Sequence, residues 1–272
     1  MEEVPKVIDI REIVRSSNSG FFRNLPGFMI STLEKLICQD EMNDTIYRHR
    51  DKTGLSFIND VLEGWNVRTE TRGIENIPSS GRFIFVSNHP LGAIDALAFL
   101  IEIGKYYPDL VTPSNEMLNR VTNIQPVLFG VNVYGKNSRE TAEKLNRLFE
   151  SDKQVMMFPS GEVSRRKNGI ISDPQWQKTI ITKAVQYKRD ILPAHISGRN
   201  SNLFYFVANL RTFLGIKMFI ESALLPREMV RQWNSKVTLT FGRAIPFTSF
   251  TNEKTPHEWA QYVKEIVYKL GQ

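Results

Sequence analysis

Apolar and polar positions along this chain follow two rhythms. Short, nearly continuous apolar runs read as buried strands. They are Phe83–Ser87, Pro126–Tyr134, Gln154–Phe158, Ile191–Ile196, Lys217–Ile220 and Val237–Phe241, with a further strand near Val67–Glu70. Apolar residues recur at helical spacing over Ala93–Tyr106, Ser138–Glu150, Gln175–Tyr187 and Pro256–Leu270. Strands alternating with amphipathic helices predict an α/β fold, a mixed and mainly parallel sheet flanked by helices. The first 70 residues are rich in charge and read as helical. Within them Phe21–Cys38 carries apolar residues at helical spacing, interrupted by Pro26-Gly27. The predicted division is an N-terminal helical segment, 1–70, packed on the main domain or on a membrane, and an α/β domain, 71–272, with a C-terminal helix. The turn cluster Ile77-Pro78-Ser79-Ser80-Gly81 follows the boundary.

Composition narrows the partners. In 272 residues, 41% are hydrophobic and 11% aromatic, enough for a packed core. The single cysteine, Cys38, excludes an internal disulfide framework and fits a reducing compartment. No signal peptide is expected, and no run of about 18 uncharged apolar residues predicts a membrane span. The longest apolar stretch, Leu203 to Leu225, is broken by Asn209, Arg211, Lys217 and Glu221. A net charge of +6 favours anionic partners. Nucleic acid ranks last among these, because the aromatics fall inside apolar segments instead of interleaving with cations. The expected location is cytoplasmic, peripheral on the inner face of the membrane. Apolar positions between Leu203 and Phe219, with Arg211, Lys217 and Arg227 as cations, are candidates for an acyl groove or a bilayer contact.

Two tracts carry candidate chemistry. In Ser87-Asn88-His89-Pro90-Leu91-Gly92-Ala93-Ile94-Asp95, a strand delivers a histidine and then an aspartate into a tight turn. His89 and Asp95 meet only if Pro90-Leu91-Gly92 folds the carboxylate back beneath the ring. Such a pair holds a neutral imidazole as a general base. The structural alternative is a strand-end histidine with Asp95 favoured at a helix N-terminus. In Phe158-Pro159-Ser160-Gly161-Glu162-Val163-Ser164-Arg165-Arg166-Lys167, hydroxyls, backbone N–H groups and three cations follow a strand, a combination suited to an anion. A serine-hydrolase elbow does not fit, since Phe158 and Glu162 stand where glycines are needed. His195 reads as a satisfied core residue, and His49 and His257 read as surface. Scattered histidines and one cysteine predict no metal site.

Together the tracts resemble the glycerolipid acyltransferase family, typified by the 1-acyl-glycerol-3-phosphate acyltransferases. The resemblance rests on Asn88-His89 with Asp95, on Gly130 to Lys136, on Phe158 to Ser164, and on Ile191-Leu192-Pro193-Ala194-His195-Ile196, in the family's order. The first box is similar to the H-P-L-G-x-x-D variant of a bacterial hemolysin-like branch. Ser160 stands where the family has glutamate, with Glu162 close behind. Lys136, followed by Arg139, stands where the family has arginine. The tract Ser197 to Asn202 also resembles that branch and adds Arg199.

The resemblance implies O-acyl transfer from a thioester, on acyl carrier protein or coenzyme A, to a lysolipid hydroxyl such as that of lysophosphatidic acid. His89 would be the base and Asp95 its orienting partner. Asn88, Lys136, Arg139, Ser160, Gly161, Glu162, Ser164, Arg165, Arg166 and Arg199 would contact the acceptor. Backbone N–H groups near Gly92 or Gly161 would serve the oxyanion. No cofactor is implied beyond the acyl donor. Because Ser160 and Lys136 depart from the phosphate-acceptor pattern, a lyso amino-acid lipid of ornithine or glycine type is the leading alternative acceptor. A non-catalytic lipid-binding protein with this fold is the alternative from another class.

Overall fold

Phe83–Ser87 is buried at every position, as a strand covered on both faces must be. Its side chains divide between two apolar layers: Phe83 and Phe85 enter one, Ile84 and Val86 the other. That strand is the fourth of the five in the central sheet.

The computed structural model describes residues 5–15, 23–115, 118, 120–131, 139–216 and 219–272. Helices α1 (Ile10–Arg15), α2 (Gly27–Leu36), α3 (Gln39–Arg48) and α4 (Gly54–Gly64) come first. Strand β1 (Arg68–Arg72), strand β2 (Phe83–Ser87), helix α5 (Ala93–Gly104), and strands β3 (Thr112–Asn115) and β4 (Leu128–Val131) follow. Next come α6 (Arg139–Glu150), β5 (Val155–Met157), the hairpin β6 (Arg165–Lys167) and β7 (Ile170–Ser172), and α7 (Thr179–Tyr187). The chain continues with β8 (Asp190–Ile196), α8 (Asn202–Phe213), α9 (Leu225–Arg231), β9 (Lys236–Phe241) and α10 (Pro256–Lys269).

The main sheet has the order β1-β9-β8-β2-β5. Only the β8–β9 pairing is antiparallel; β1–β9, β8–β2 and β2–β5 are parallel. The sheet is thus mixed and mainly parallel, as the alternating pattern predicts. Helix α5 with α4 covers one face, where Phe57, Ile58, Phe99 and Ile103 join Phe85, Leu192 and Leu239. Helices α7 and α10 cover the other, with Trp176, Ile180, Val263 and Val267 against Ile84 and Ile191. Met42 and Ile46 of α3 belong to the first core as well, so the N-terminal helices share the α/β core.

Several boundaries differ from the sequence expectation for local reasons. The strand expected over Pro126–Tyr134 is described only as Leu128–Val131, and 132–134 lie outside the described residues. It is preceded by a 3₁₀ turn, Thr122–Val127, where Pro126 has no N–H to give a ladder. The helix expected from Gln175 starts at Thr179. Residues 174–178 stay irregular because the Trp176 and Gln177 N–H groups donate to Gln261 and to the carbonyl of Pro159. The strand expected over Lys217–Ile220 is corrected where it is described. Ile220–Leu224 is a 3₁₀ turn that buries Glu221 completely, and 217–218 lie outside the described residues. Among the described residues, no helix is long and apolar enough to cross a membrane.

Candidate active site

Two strands place the site. At the exit of β2, the Asn88 amide donates to the carbonyl of Ile196 at 2.8 Å and accepts from the Ile196 N–H at 2.7 Å. This clamp extends the β2–β8 ladder by one side chain and fixes where His89 leaves the sheet. Both polar ends of the Asn88 side chain, expected at the substrate, are thereby occupied within the fold, and Asn88 also lines the cavity described below.

The turn after His89 closes onto Asp95. Gly92 has φ 86°, a left-handed conformation open to glycine, and a Cβ there would meet Leu225 at 2.9 Å. That turn aims the Leu91 and Gly92 N–H groups at Asp95 Oδ2, at 2.9 and 3.0 Å. The same oxygen lies 2.9 Å from His89 Nδ1. Because Oδ2 accepts from two backbone donors, its third partner is Nδ1–H, and the imidazole lone pair sits on Nε2. Nε2 has no partner among the described residues, and the ring keeps 17% of its side-chain surface exposed. The ring stacks on Phe158, centroids 3.9 Å apart and planes 17° apart. Asp95 is fully buried, and Oδ1 has no partner among the described residues. Burial pushes the carboxyl up from the ordinary carboxylate range, opposed by the bonds from His89, Leu91 and Gly92.

A strap from the second tract holds this loop from behind. Ser164 N–H donates to the His89 carbonyl at 2.7 Å. His89 N–H donates to Asp173 Oδ1 at 3.1 Å, and Ser164 Oγ donates to the same oxygen at 2.6 Å. Trp176 Nε1 donates to Asp173 Oδ2 at 2.9 Å. The Asp173 N–H donates to Tyr268 Oη, and its carbonyl accepts from Lys264. Sequence reasoning missed Asp173. No local motif marks it, because two of its partners lie 84 and 95 positions away.

The other predicted contacts separate into occupied and available groups. Ser164 is buried and committed to Asp173. Ser160 Oγ donates to the Glu162 carbonyl. The guanidinium of Arg165 donates to the Val163 carbonyl and pairs with buried Glu221 at 2.8 Å and Glu162 at 3.3 Å. Arg211 faces the same Glu221 at 2.9 Å. Arg165, expected at the headgroup, is thus held in an ion cluster within the fold. Of the backbone N–H groups near Gly92 and Gly161 expected to serve the oxyanion, those of the two glycines themselves are occupied: Gly92 N–H bonds Asp95, and Gly161 N–H bonds the Phe158 carbonyl. Arg166 donates to Asn202 and lies over Tyr205. Lys136 lies outside the described residues, and Arg139 opens α6.

A cavity of about 360 Å³ opens beside the loop, with Pro90, Ser164, His195, Arg199 and Tyr268 in its wall. Arg199 is exposed and unpaired among the described residues. His195 is not the satisfied core histidine expected. Its ring lies edge-on to Tyr268 and has no hydrogen bond among the described residues, and burial pushes its pKa down. His257 is exposed as expected, whereas His49 is half-buried, with Nδ1 3.9 Å from Asp60.

A family model described as acyltransferase matches residues 12–272. The chain belongs to the acyltransferase family. This acyltransferase is 40% identical over 265 residues to a lyso-glycine lipid O-acyltransferase of Bacteroides thetaiotaomicron, covering 97% of each chain. It is 38% identical to a protein of the same description from Phocaeicola vulgatus, covering 97% of this chain and 95% of that one. Among solved structures it is similar to the 1-acyl-sn-glycerophosphate (LPA) acyltransferase PlsC from Thermotoga maritima. That match has 19% identity, covers 89% of this acyltransferase and 91% of the other chain, and has a TM-score of 0.49.

Proposed function

We propose that the protein transfers a fatty acyl group from a thioester, on acyl carrier protein or coenzyme A, to the hydroxyl of a lyso amino-acid lipid of the glycine type. The carrying observation is the His89–Asp95 pair: a buried carboxylate on Nδ1, a partly exposed ring, and an Nε2 without a partner among the described residues. Nε2 takes the proton of the acceptor hydroxyl as its oxygen attacks the thioester carbonyl. The oxygen–carbon bond forms, the carbon–sulfur bond breaks, and the imidazolium returns the proton to the departing thiolate. Asp95 stabilises the imidazolium between these steps. No serine nucleophile and no acyl-enzyme are required, since His89 acts directly on the acceptor hydroxyl.

The acceptor assignment draws on two relatives described as lyso-glycine lipid O-acyltransferases. It also fits the residues. A glycine joined through its nitrogen carries one free carboxylate, and Arg199, exposed in the wall of the cavity next to the His89 loop, supplies a cation for it in this reading. Lysophosphatidic acid, the first reading of the sequence, would bring a dianionic phosphate, while Arg165 is already committed to Glu221.

The test pairs acyl carrier protein and coenzyme A thioesters with N-acylglycine lysolipid and with lysophosphatidic acid, products read by mass spectrometry. The glycine acceptor should give the diacyl product. Preferential acylation of lysophosphatidic acid overturns the acceptor. His89→Ala should lower turnover by roughly 10²–10⁴-fold and leave the fold intact. Near-full turnover in that variant would remove His89 as the base.

A further inference from the structure

Helix α8 follows β8 and the Arg199 loop directly, with Ser201 as its N-cap. Its inner face is conventional: Phe204, Tyr205 and Ala208 are buried. Its outer face is not. Leu203, Phe206, Leu210 and Phe213 are all exposed, as are Leu214 and Ile216 just beyond, with Phe206 at 63% and Phe213 at 86%. At ~100° per residue, Leu203, Phe206, Leu210, Phe213 and Leu214 fall within roughly 100° of one another, forming one stripe. Soluble monomers rarely present a contiguous apolar stripe of this kind to water.

The end of the stripe nearest the site is basic. Arg166 reaches Asn202, the first residue of α8, and carries no acidic partner among the described residues. Lys167 and Arg199 are exposed and likewise unpaired among the described residues. The cations the sequence suggested for this role are placed differently. Arg211 faces buried Glu221, Arg227 pairs with Glu228, and Lys217 lies outside the described residues. The β6–β7 hairpin, which contacts α8, adds exposed Ile170.

We propose that the outer face of α8 is the surface by which this protein rests on an anionic lipid bilayer. The inference rests on the reading that the acceptor is a lipid. Apolar side chains in register, a cationic end and continuity with the β8 exit together fit a membrane interface. The helix lies in the interfacial plane with Phe206 and Phe213 among the acyl chains. Arg166, Lys167 and Arg199 meet the headgroups. An acceptor held in the bilayer then meets His89 without leaving it entirely.

The test uses the full chain and vesicles of phosphatidylglycerol and phosphatidylcholine, without acyl donor or acceptor. The wild type should sediment with these vesicles, less so at high salt, which screens the cationic end. The double variant Phe206→Ser/Phe213→Ser should lose roughly tenfold or more in partitioning and keep the wild-type melting temperature. In Phe206→Trp, emission should shift to the blue on vesicle addition. Wild-type partitioning in the double variant, or an unshifted Phe206→Trp spectrum, overturns the proposal. So does loss of binding only in Phe28→Ser, which alters the exposed Phe28 of α2. A wild type that dimerises through these residues and ignores vesicles overturns it too. Because binding is read without turnover, failure of the acyl-transfer reading leaves this result standing, and the reverse also holds.

Discussion

At the residue scale, one oxygen organises the site. Asp95 Oδ2 collects the imidazole and two backbone donors, while burial drives its carboxyl upward. A carboxyl raised in the folded state is protonated there more readily than in the unfolded chain. Its stabilising contribution is present below the unfolded value and is lost as pH rises through the folded one. Asp95→Asn keeps an oxygen for the Leu91 and Gly92 N–H groups and carries no charge at any pH. At pH 8 the variant should be at least as stable as the wild type, and this advantage should shrink toward acid in thermal melts. Its turnover should fall by about 10²–10⁴-fold, since a neutral amide cannot stabilise the imidazolium. Wild-type turnover should decline on the acid side as Asp95 gains its proton. The pairing was one of two readings the residues themselves offered, since His89 and Asp95 meet only when the Pro-Leu-Gly turn folds back, and the resemblance to an acyltransferase box favoured it. The commitments of Asn88 and Arg165 were not legible in the sequence. One is fixed by the Ile196 backbone 108 positions away, the other by Glu221 in a segment that reads as apolar.

At the element scale, the site is a turn held by a strap. The strap is the second tract continued through the β6–β7 hairpin to Asp173. Asn168 and Gly169 both have positive φ, 51° and 81°, so the hairpin closes through a two-residue turn suited to its twist. The Asn-Gly pair was a readable signal that three neighbouring cations obscured. Asp173→Ala strands the His89 N–H, Ser164 Oγ and Trp176 Nε1, each lost partner costing roughly 1–3 kcal/mol. Stability should fall accordingly in denaturant melts, and kcat should fall more than KM, because the loop bearing the base is displaced while Arg199 is untouched. A changed KM with unaltered kcat would detach Asp173 from the positioning role.

At the scale of the whole molecule, the alternation of apolar runs and amphipathic helices was enough to predict a mixed, mainly parallel sheet. It was not enough to order the strands, because parallel neighbours come from distant stretches of chain. Arg189 shows how such stretches are tied. It is fully buried, and it donates to the carbonyls of Phe149, Lys153, Phe83 and Ser151 where α6, β2 and β5 converge. Burial pushes its pKa down to about 10. Arg189→Met leaves these carbonyls without their donor, at roughly 1–3 kcal/mol for each that water cannot reach. The variant should unfold at clearly lower denaturant, with the kinetics of the remaining folded fraction unaltered.

The Asn88 clamp carries a consequence for how activity is acquired. The base is aimed only once two stretches 108 positions apart have met, and such long-range closure is slow. In refolding from denaturant, most of the helical signal should therefore return before competence for catalysis does. The delay between them times the moment when β2 and β8 find their register.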